Sequence, residues 1–274
     1  ASAATTTNAW VDYSYFAGSP PANFYASAPL VAAVLDSDKG IYTGGNVSPS
    51  TKHLKNLMLM SAASSATSTT NGRQEVAVCD YLLYYPFIDT DAIGEEQVMD
   101  NTVTLPRYAA QGGQVVAVAQ SAASAIGQFT FSYTNQDGVS GRTSQNNYTF
   151  IVAGGGQVVG ASGAGASYNP FCYLQVGDTA VRSIESVTMS AAGGGLMCLV
   201  IVKPLIKTVV SQECRRTTTG NLESYGACTE LSSVIHQAGA PRILDGAVIG
   251  LLAAGYSGSL ASSILSGALE VIWN

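Results

Sequence analysis

Charge is what this chain has least of. Only 11% of its 274 residues are Asp, Glu, Lys or Arg, against about 25% in ordinary globular proteins. Mixed surface charge normally keeps a free monomer soluble, so a surface this neutral implies that much of it faces other subunits. The other reading is a secreted β protein with a Ser/Thr-rich exterior. The formal net charge is −6, and phosphate binding needs a basic face. Lys52 with Lys55, Lys203 with Lys207, and Arg215-Arg216 are small, scattered groups. No nucleic-acid partner is expected. An apolar run of about 18 residues is also missing. Ala247 to Tyr256, the most apolar late stretch, is short and broken by glycine, so no membrane span is expected. The opening ASAATTTNAW has no basic region followed by an apolar one, and so reads as free of a retained signal peptide. Ala1 fits removal of an initiator Met, and a cleaved signal peptide would leave the same start.

Groups that carry chemistry are scarce as well. The two histidines, His53 and His236, stand beside no Cys or acidic motif with ligand spacing, and His53 next to Lys52 reads as a surface residue. The five cysteines include no close pair. Cys79, Cys172 and Cys198 sit in apolar runs as small core residues. Cys214 and Cys228 have more polar surroundings, and sequence does not decide whether they pair. The set favours synthesis in a reducing compartment. Asp89, Asp91, Glu95, Glu96 and Asp100 make residues 89–100 the most acidic patch. Calcium binding through such oxygens is one reading. The D-x-D-x-x-G spacing lacks a full twelve-residue loop, and a solvated loop is the other. Gly160, Gly163 and Gly165 have the reverse of the dinucleotide order, with no helix after them. Gly255-Tyr256-Ser257-Gly258-Ser259 fails the serine-hydrolase elbow at its last position. No catalytic residue, cofactor-binding residue or metal ligand set is expected.

What the chain does contain is the grammar of antiparallel strands joined by tight turns. Asn169 to Leu205 is its centre. It holds an aromatic-apolar run, a Gly-Asp turn, partial alternation from Ile184 to Met189, a triple glycine and a continuous apolar run from Leu196 to Val202. Phe129, Phe131 and Tyr133 alternate with Thr130, Ser132 and Thr134, which predicts a strand with one aromatic and one hydroxyl face. Asn135 to Gly141 is its turn, and Tyr148 to Ala153 is the predicted return. Further strands are predicted at Leu57 to Met60, Gln74 to Tyr85 (stopped by Pro86), Thr102 to Leu105, Gln114 to Gln120, Ile206 to Val210 and Ala268 to Trp273. Short helices are predicted from Ala22, over Thr229 to Gln237 and over Leu260 to Leu265. Asp36 to Gly45, Ser61 to Gly72 and Gly154 to Asn169 read as loops.

The expected architecture is all-β: an antiparallel β-sandwich or jelly-roll-like core over residues 51–210, an N-terminal arm over 1–50, and a looser C-terminal extension over 211–274 that ends in a strand. The arm carries the aromatic knot WVDYSYF at 10–16. Trp and Tyr are favoured interface anchors, so Trp10, Tyr13, Tyr15 and Phe16 are the candidate contact residues. Their alternative role is to cap the core of their own domain.

Several motifs also carry a family resemblance. CDYLLYYPFID (79–89), NTVTLPRY (101–108), FSYTNQDGVSGR (131–142), PFCYLQVGDTAVRSIESVTM (170–189), GLMCLVIVKPL (195–205) and LEVIW (269–273) resemble a family of tailed-bacteriophage virion structural proteins. The resemblance covers roughly residues 46–210 and the last strand. It implies a non-enzymatic virion component made in the host cytoplasm and placed in the phage head. The role expected of it is a capsid decoration or cement protein, with the major capsid protein and copies of itself, as a homotrimer by analogy, as partners. The competing role is a tail or receptor-binding β module.

Overall fold

The computed structural model describes residues 2–3, 10–63, 73–152, 154–158, 169–211, 213–216, 222–225, 227–232, 240–255 and 263–274. Half of the chain is strand and 3% helix, so the protein is all-β and sandwich-like, in antiparallel sheets. In chain order the strands are β1 (Ser2–Ala3), β2 (Trp10–Asp12), β3 (Lys52–Ala63), β4 (Arg73–Asp89), β5 (Glu96–Val98), β6 (Gln114–Ala119), β7 (Gln128–Asn135), β8 (Arg142–Thr143) and β9 (Asn147–Tyr148). They continue with β10 (Val181–Ala191), β11 (Leu196–Ser211), β12 (Glu213–Arg216), β13 (Leu222–Tyr225), β14 (Ala227–Ser232), β15 (Arg242–Ile243), β16 (Ile249–Gly255) and β17 (Ser263–Trp273). Among the described residues the helical content is two 3₁₀ turns, Tyr13–Tyr15 and Ser37–Lys39.

Contacts divide the chain into two units. Unit 1 is Ala1–Ala22, Ser37–Cys79 and Leu205–Asn274, and unit 2 is Asn23–Asp36 and Asp80–Pro204. The boundaries fall inside β4 and β11, so each of these long strands is divided between the units.

Unit 2 follows directly from alternation. Phe129, Phe131 and Tyr133 of β7 are buried, while the hydroxyl residues between them are half-buried. β7 pairs with β10 so that Phe131 lies opposite Val187 and Tyr133 opposite Ile184. The sheet order is β5-β10-β7-β8, with β9 also on β7. The aromatic face packs into a core shared with Val115 and Ala117 of β6 and Leu199 and Ile201 of β11, where each large side chain contributes about 1.5–3 kcal/mol. Unbroken apolar runs such as Met197 to Val202 differ from β7 in being buried on both faces, which is why they do not alternate.

The turn after β7 has a local cause. Asn135 Oδ1 accepts from the amides of Asp137 and Val139, and Gly138 and Gly141 take φ of 78° and 69°, where residues with a Cβ are strained. The expected return strand over Tyr148 to Ala153 is not continuous. Short β8 and β9 pair with β7, and Val152 bridges Ala123 instead.

Three other expectations are corrected in and beside this unit. No helix starts at Ala22, because Tyr25 and Leu30 adopt φ of 51° and 61°, outside the helical region. The segment is held by extended main-chain bonds, Leu30 N–H to Pro86 O at 2.9 Å and Ala33 N–H to Tyr84 O at 3.0 Å. Pro86 does not stop β4, which runs on to Asp89. Phe87 takes φ of 58° and its amide donates to Gln120 Oε1 at 2.6 Å, so the chain passes the proline through a local irregularity. Thr102 to Leu105 is irregular, with the Thr102 amide tied to Asp100 Oδ1 at 2.9 Å.

Unit 1 contains the sheet β1-β17-β3-β14, with β15 also on β3, and the pair β2-β16. Its core joins Leu54, Leu57 and Leu59 of β3 to Val76 and Val78 of β4, Ile249 of β16 and Leu265 of β17. Two helix expectations fail here. Thr229–Ser232 belongs to β14, and the stretch from Ser263 is β17; residues 233–237 and 260–262 lie outside the described part. β17 pairs with β3 along its whole length, so tertiary pairing decides the conformation of a stretch of weak local preference. β12 and β13 form a small antiparallel ladder within a segment that reads as merely polar.

Candidate functional site

The aromatic segment expected to make contacts is built into unit 1. Trp10, Val11 and Asp12 form β2 and pair with Ala254, Ala253 and Leu252 of β16. Asp12 then caps the 3₁₀ turn, its Oδ1 accepting from the Ser14 amide at 3.0 Å and the Ser14 hydroxyl at 2.6 Å. Trp10 is 2% exposed and Tyr13 4%, while Tyr15 and Phe16 are half-buried and meet edge to face at 5.9 Å. The Lys207 ammonium lies 5.5 Å from the Trp10 ring centre and pairs with Glu75. Trp10 therefore serves the core of its own unit, whereas Tyr13 reaches a groove.

That groove has a volume of about 140 Å³. One wall is the inward face of β3 and β17, with Leu57, Leu59, Leu265 and Leu269; the other is Tyr13, Ile41, Ile249 and Leu251, with Ser14, Ser19 and Lys39 also in its lining. Its cause is local. Leu265, Gly267 and Leu269 share one face of β17, and Gly267 lies opposite Leu59. A Cβ on Gly267 would lie 2.2 Å from the Met58 carbonyl oxygen, so the position excludes a side chain. The wall therefore lacks one apolar group where a core strand would carry it. Space of this size holds one apolar side chain or a small apolar molecule.

β17 also presents an edge. β3 occupies one side of it, and on the other β1 covers only Ile264 and Ser263. From Leu265 to Trp273 no further strand is paired to that side among the described residues. Trp273 is 58% exposed. The charge on this stretch is Glu270, bonded by the Lys55 ammonium at 2.7 Å.

Unit 2 holds a second concavity, an open cleft of about 390 Å³ whose lining includes Gln114, Gln145, Tyr173, Gln175, Asp178 and Thr179. Its polar groups mostly hold the fold. Gln145 Nε2 donates to Leu174 O at 2.8 Å, and Gln114 Nε2 donates to Thr179 O. Asp178 accepts from Arg142 Nε at 2.9 Å, Tyr133 Oη at 2.6 Å and Asn135 Nδ2 at 2.9 Å. The Arg142 hydrogen bonds, opposed by burial and reinforced by Tyr133 and Asn135, hold its carboxyl at about 2, below the ordinary 3.8. Burial, with the neighbouring Asp178, pushes Tyr133 up to about 12. Burial likewise pushes the Cys172 thiol up to about 12, which withholds the thiolate that a nucleophile needs.

The remaining sequence candidates are placed as follows. Cys79, Cys172 and Cys198 are buried free thiols; the side chains of Cys214 and Cys228 lie outside the described part. In the acidic stretch, Asp89 Oδ1 accepts from the Asp91 amide and Asp91 Oδ1 from the Gly194 amide, so the first carboxylate closes a turn and the second ties it to the glycine turn before β11. Among the described residues no three His, Cys, Asp or Glu side chains are grouped to hold a metal ion, and no helix is long and apolar enough to cross a membrane. His53 Nδ1 lies 3.5 Å from Ala240 O. His236, Gly160, Gly163, Gly165 and residues 256–259 lie outside the described part.

Sequence reasoning singled out Tyr13, which lies in the groove lining, and did not single out Gly267, the Lys55–Glu270 pair or the edge. One signal was present: from Leu265 to Trp273 every second residue is apolar or glycine, with Ser266, Ala268 and Glu270 among the residues between. The fold and these surfaces define a class, an all-β protein with an apolar groove and an open strand edge. No family model, no curated protein and no solved structure matches the chain.

Proposed function

We propose that this chain is a non-enzymatic structural protein of a tailed-bacteriophage virion, a capsid decoration or cement protein that binds the outside of the head and bridges neighbouring capsomers. The observation that carries this reading is the unit 1 groove with its open edge: an apolar contact surface, with Tyr13 in its wall, on a chain with only 11% charged residues. A shell under the pressure of packaged DNA is held by added buried interface, and that work asks for a rigid β body with a surface to bury, not for a catalytic constellation. The motif resemblance supplies the virion setting. The partners are then the major capsid protein and further copies of this chain, and the protein is made in the host cytoplasm before joining the head.

A second reading, a tail or receptor-binding module, draws on unit 2. There Val176 is exposed and Tyr173 partly so beside the polar cleft. Quantitative mass spectrometry of purified particles separates the two. Hundreds of copies per particle, near the number of the major capsid protein, support decoration. A handful of copies supports the tail, and absence from the particle overturns both.

A further inference from the structure

We propose that two copies of this chain join through β17, antiparallel and edge to edge about a twofold axis at Glu270, each placing its Trp273 opposite Gly267 of the other. This interface stands independently of the virion reading.

The starting point is the unsatisfied edge. Along Leu265 to Trp273 every second residue directs its N–H and C=O away from β3, and no strand among the described residues receives them. Exposed edges of this kind are normally blunted by proline, by unpaired charge or by a bulge in the edge strand itself. β17 has no proline from Leu265 onward. The bulge in its ladder falls on the inner strand: Glu270 pairs with Asn56 and Val271 with Leu54, so the extra residue is Lys55 of β3. β17 is therefore regular, and Leu265, Gly267, Leu269, Val271 and Trp273 all share the inward face.

The occupant is a second copy because the edge complements itself. An antiparallel twofold pair keeps each face on its own side, so residues directly opposite share a face, and only registers with an even sum of residue numbers are allowed. β1 already occupies the edge at Ile264. A partner pairing from Gly267 to Trp273 clears β1, and places Trp273 of each copy opposite Gly267 of the other. A large aromatic side chain across from a glycine on an edge is a favourable cross-strand pair. Here it also supplies an apolar group beside the groove that Gly267 leaves open.

The charges agree with this register. It brings the two Glu270 side chains together on the outward face, an arrangement that is unfavourable between bare like charges. Each, however, already carries its own Lys55 ammonium at 2.7 Å. The axis thus has two acids and two bases alternating.

The full-length chain tests this by light scattering behind size exclusion, across a range of concentrations. A dimer is expected. Val271→Pro, which removes a donor on the open edge because Leu54 opposite it turns its own amide to Pro241 and not to β17, and Trp273→Ala, which removes an exposed side chain, are each expected to weaken it at least about tenfold, with unchanged circular dichroism. Under mild oxidation Glu270→Cys is expected to give a covalent dimer, while Ala268→Cys and the unsubstituted protein do not. A monomer at every concentration overturns the proposal. So does a trimer, or a dimer that both edge variants leave intact while staying folded. Cross-linking of Ala268→Cys in preference to Glu270→Cys overturns the register. If Val271→Pro fails to fold, Trp273→Ala and the cysteine pair decide alone.

Discussion

In unit 2 two buried carboxylates find their partners inside the fold. Asp80, fully buried, accepts from Arg107 Nε at 2.9 Å and Nη2 at 2.7 Å, and Asp178 accepts from Tyr133 and Asn135 of β7 and Arg142 of β8. Its aromatic face is closed over by β6 and β11. Unit 1 has the same kind of sheet but leaves the inward face of β17 short of one side chain, and, among the described residues, one edge of that strand open. The difference teaches where to look for partners: a fold that satisfies its groups internally reads as scaffold, and a fold that leaves hydrogen bonds and apolar surface unmatched reads as an interface.

The contrast is most sharply tested by removing a buried charge. Arg107→Ala strips two hydrogen bonds from the fully buried Asp80 carboxylate and is expected to cost about 3–5 kcal/mol, measured by urea unfolding. A loss below about 1 kcal/mol would show that unit 2 does not depend on its internal pairs. Next, Phe131→Ala in the closed core is expected to cost about 3–5 kcal/mol. Leu269→Ala, at the groove, is expected to cost less because its site is already incompletely packed. Equal costs would break the comparison.

The third test uses pH. With Arg142 holding Asp178 at about 2 against an ordinary 3.8, the folded state favours the carboxylate and the unfolded chain takes up the proton first. The resulting stability is complete above about pH 4 and is lost as pH falls from there towards 2. Urea midpoints between pH 2 and 5 should show this fall, and Arg142→Met should flatten it; an unchanged slope counts against the network. The smallest effect is expected from Lys55→Ala. Its pair with Glu270 is exposed, and pairs of this kind contribute about 0–1 kcal/mol. Monomer stability should barely move, while self-association weakens.

Much of unit 2 was legible because its cause is local. Phe129, Phe131 and Tyr133 announce a half-buried strand, and Asn135 to Gly141 announces the turn. The apolar setting of Cys79, Cys172 and Cys198 likewise reveals burial. The misses share one physical reason: partners distant in sequence. Ser263 to Gly267 lacks strand character of its own and becomes strand only against β3, about two hundred residues earlier in the chain. Pro86 ends a strand by local rules, yet here the Gln120 side chain accommodates the residue after it. For the site, the aromatic knot pointed to Tyr13. The groove it faces needs Gly267, whose meaning comes from the Met58 carbonyl and not from its neighbours in sequence.

The interleaving of the two units has a genetic consequence. Residues 23–36 belong to unit 2, tied to Tyr84, Pro86 and Asp100 through main-chain bonds, while Trp10 and Tyr13 belong to the core of unit 1. A deletion of the first fifty residues would therefore wound both units at once. A stop codon after Pro204 would remove β16 and β17 and leave the residues assigned to unit 2 in place. Damage to this protein is thus set by which unit each deleted segment supplies, and the two ends of the gene are not equivalent.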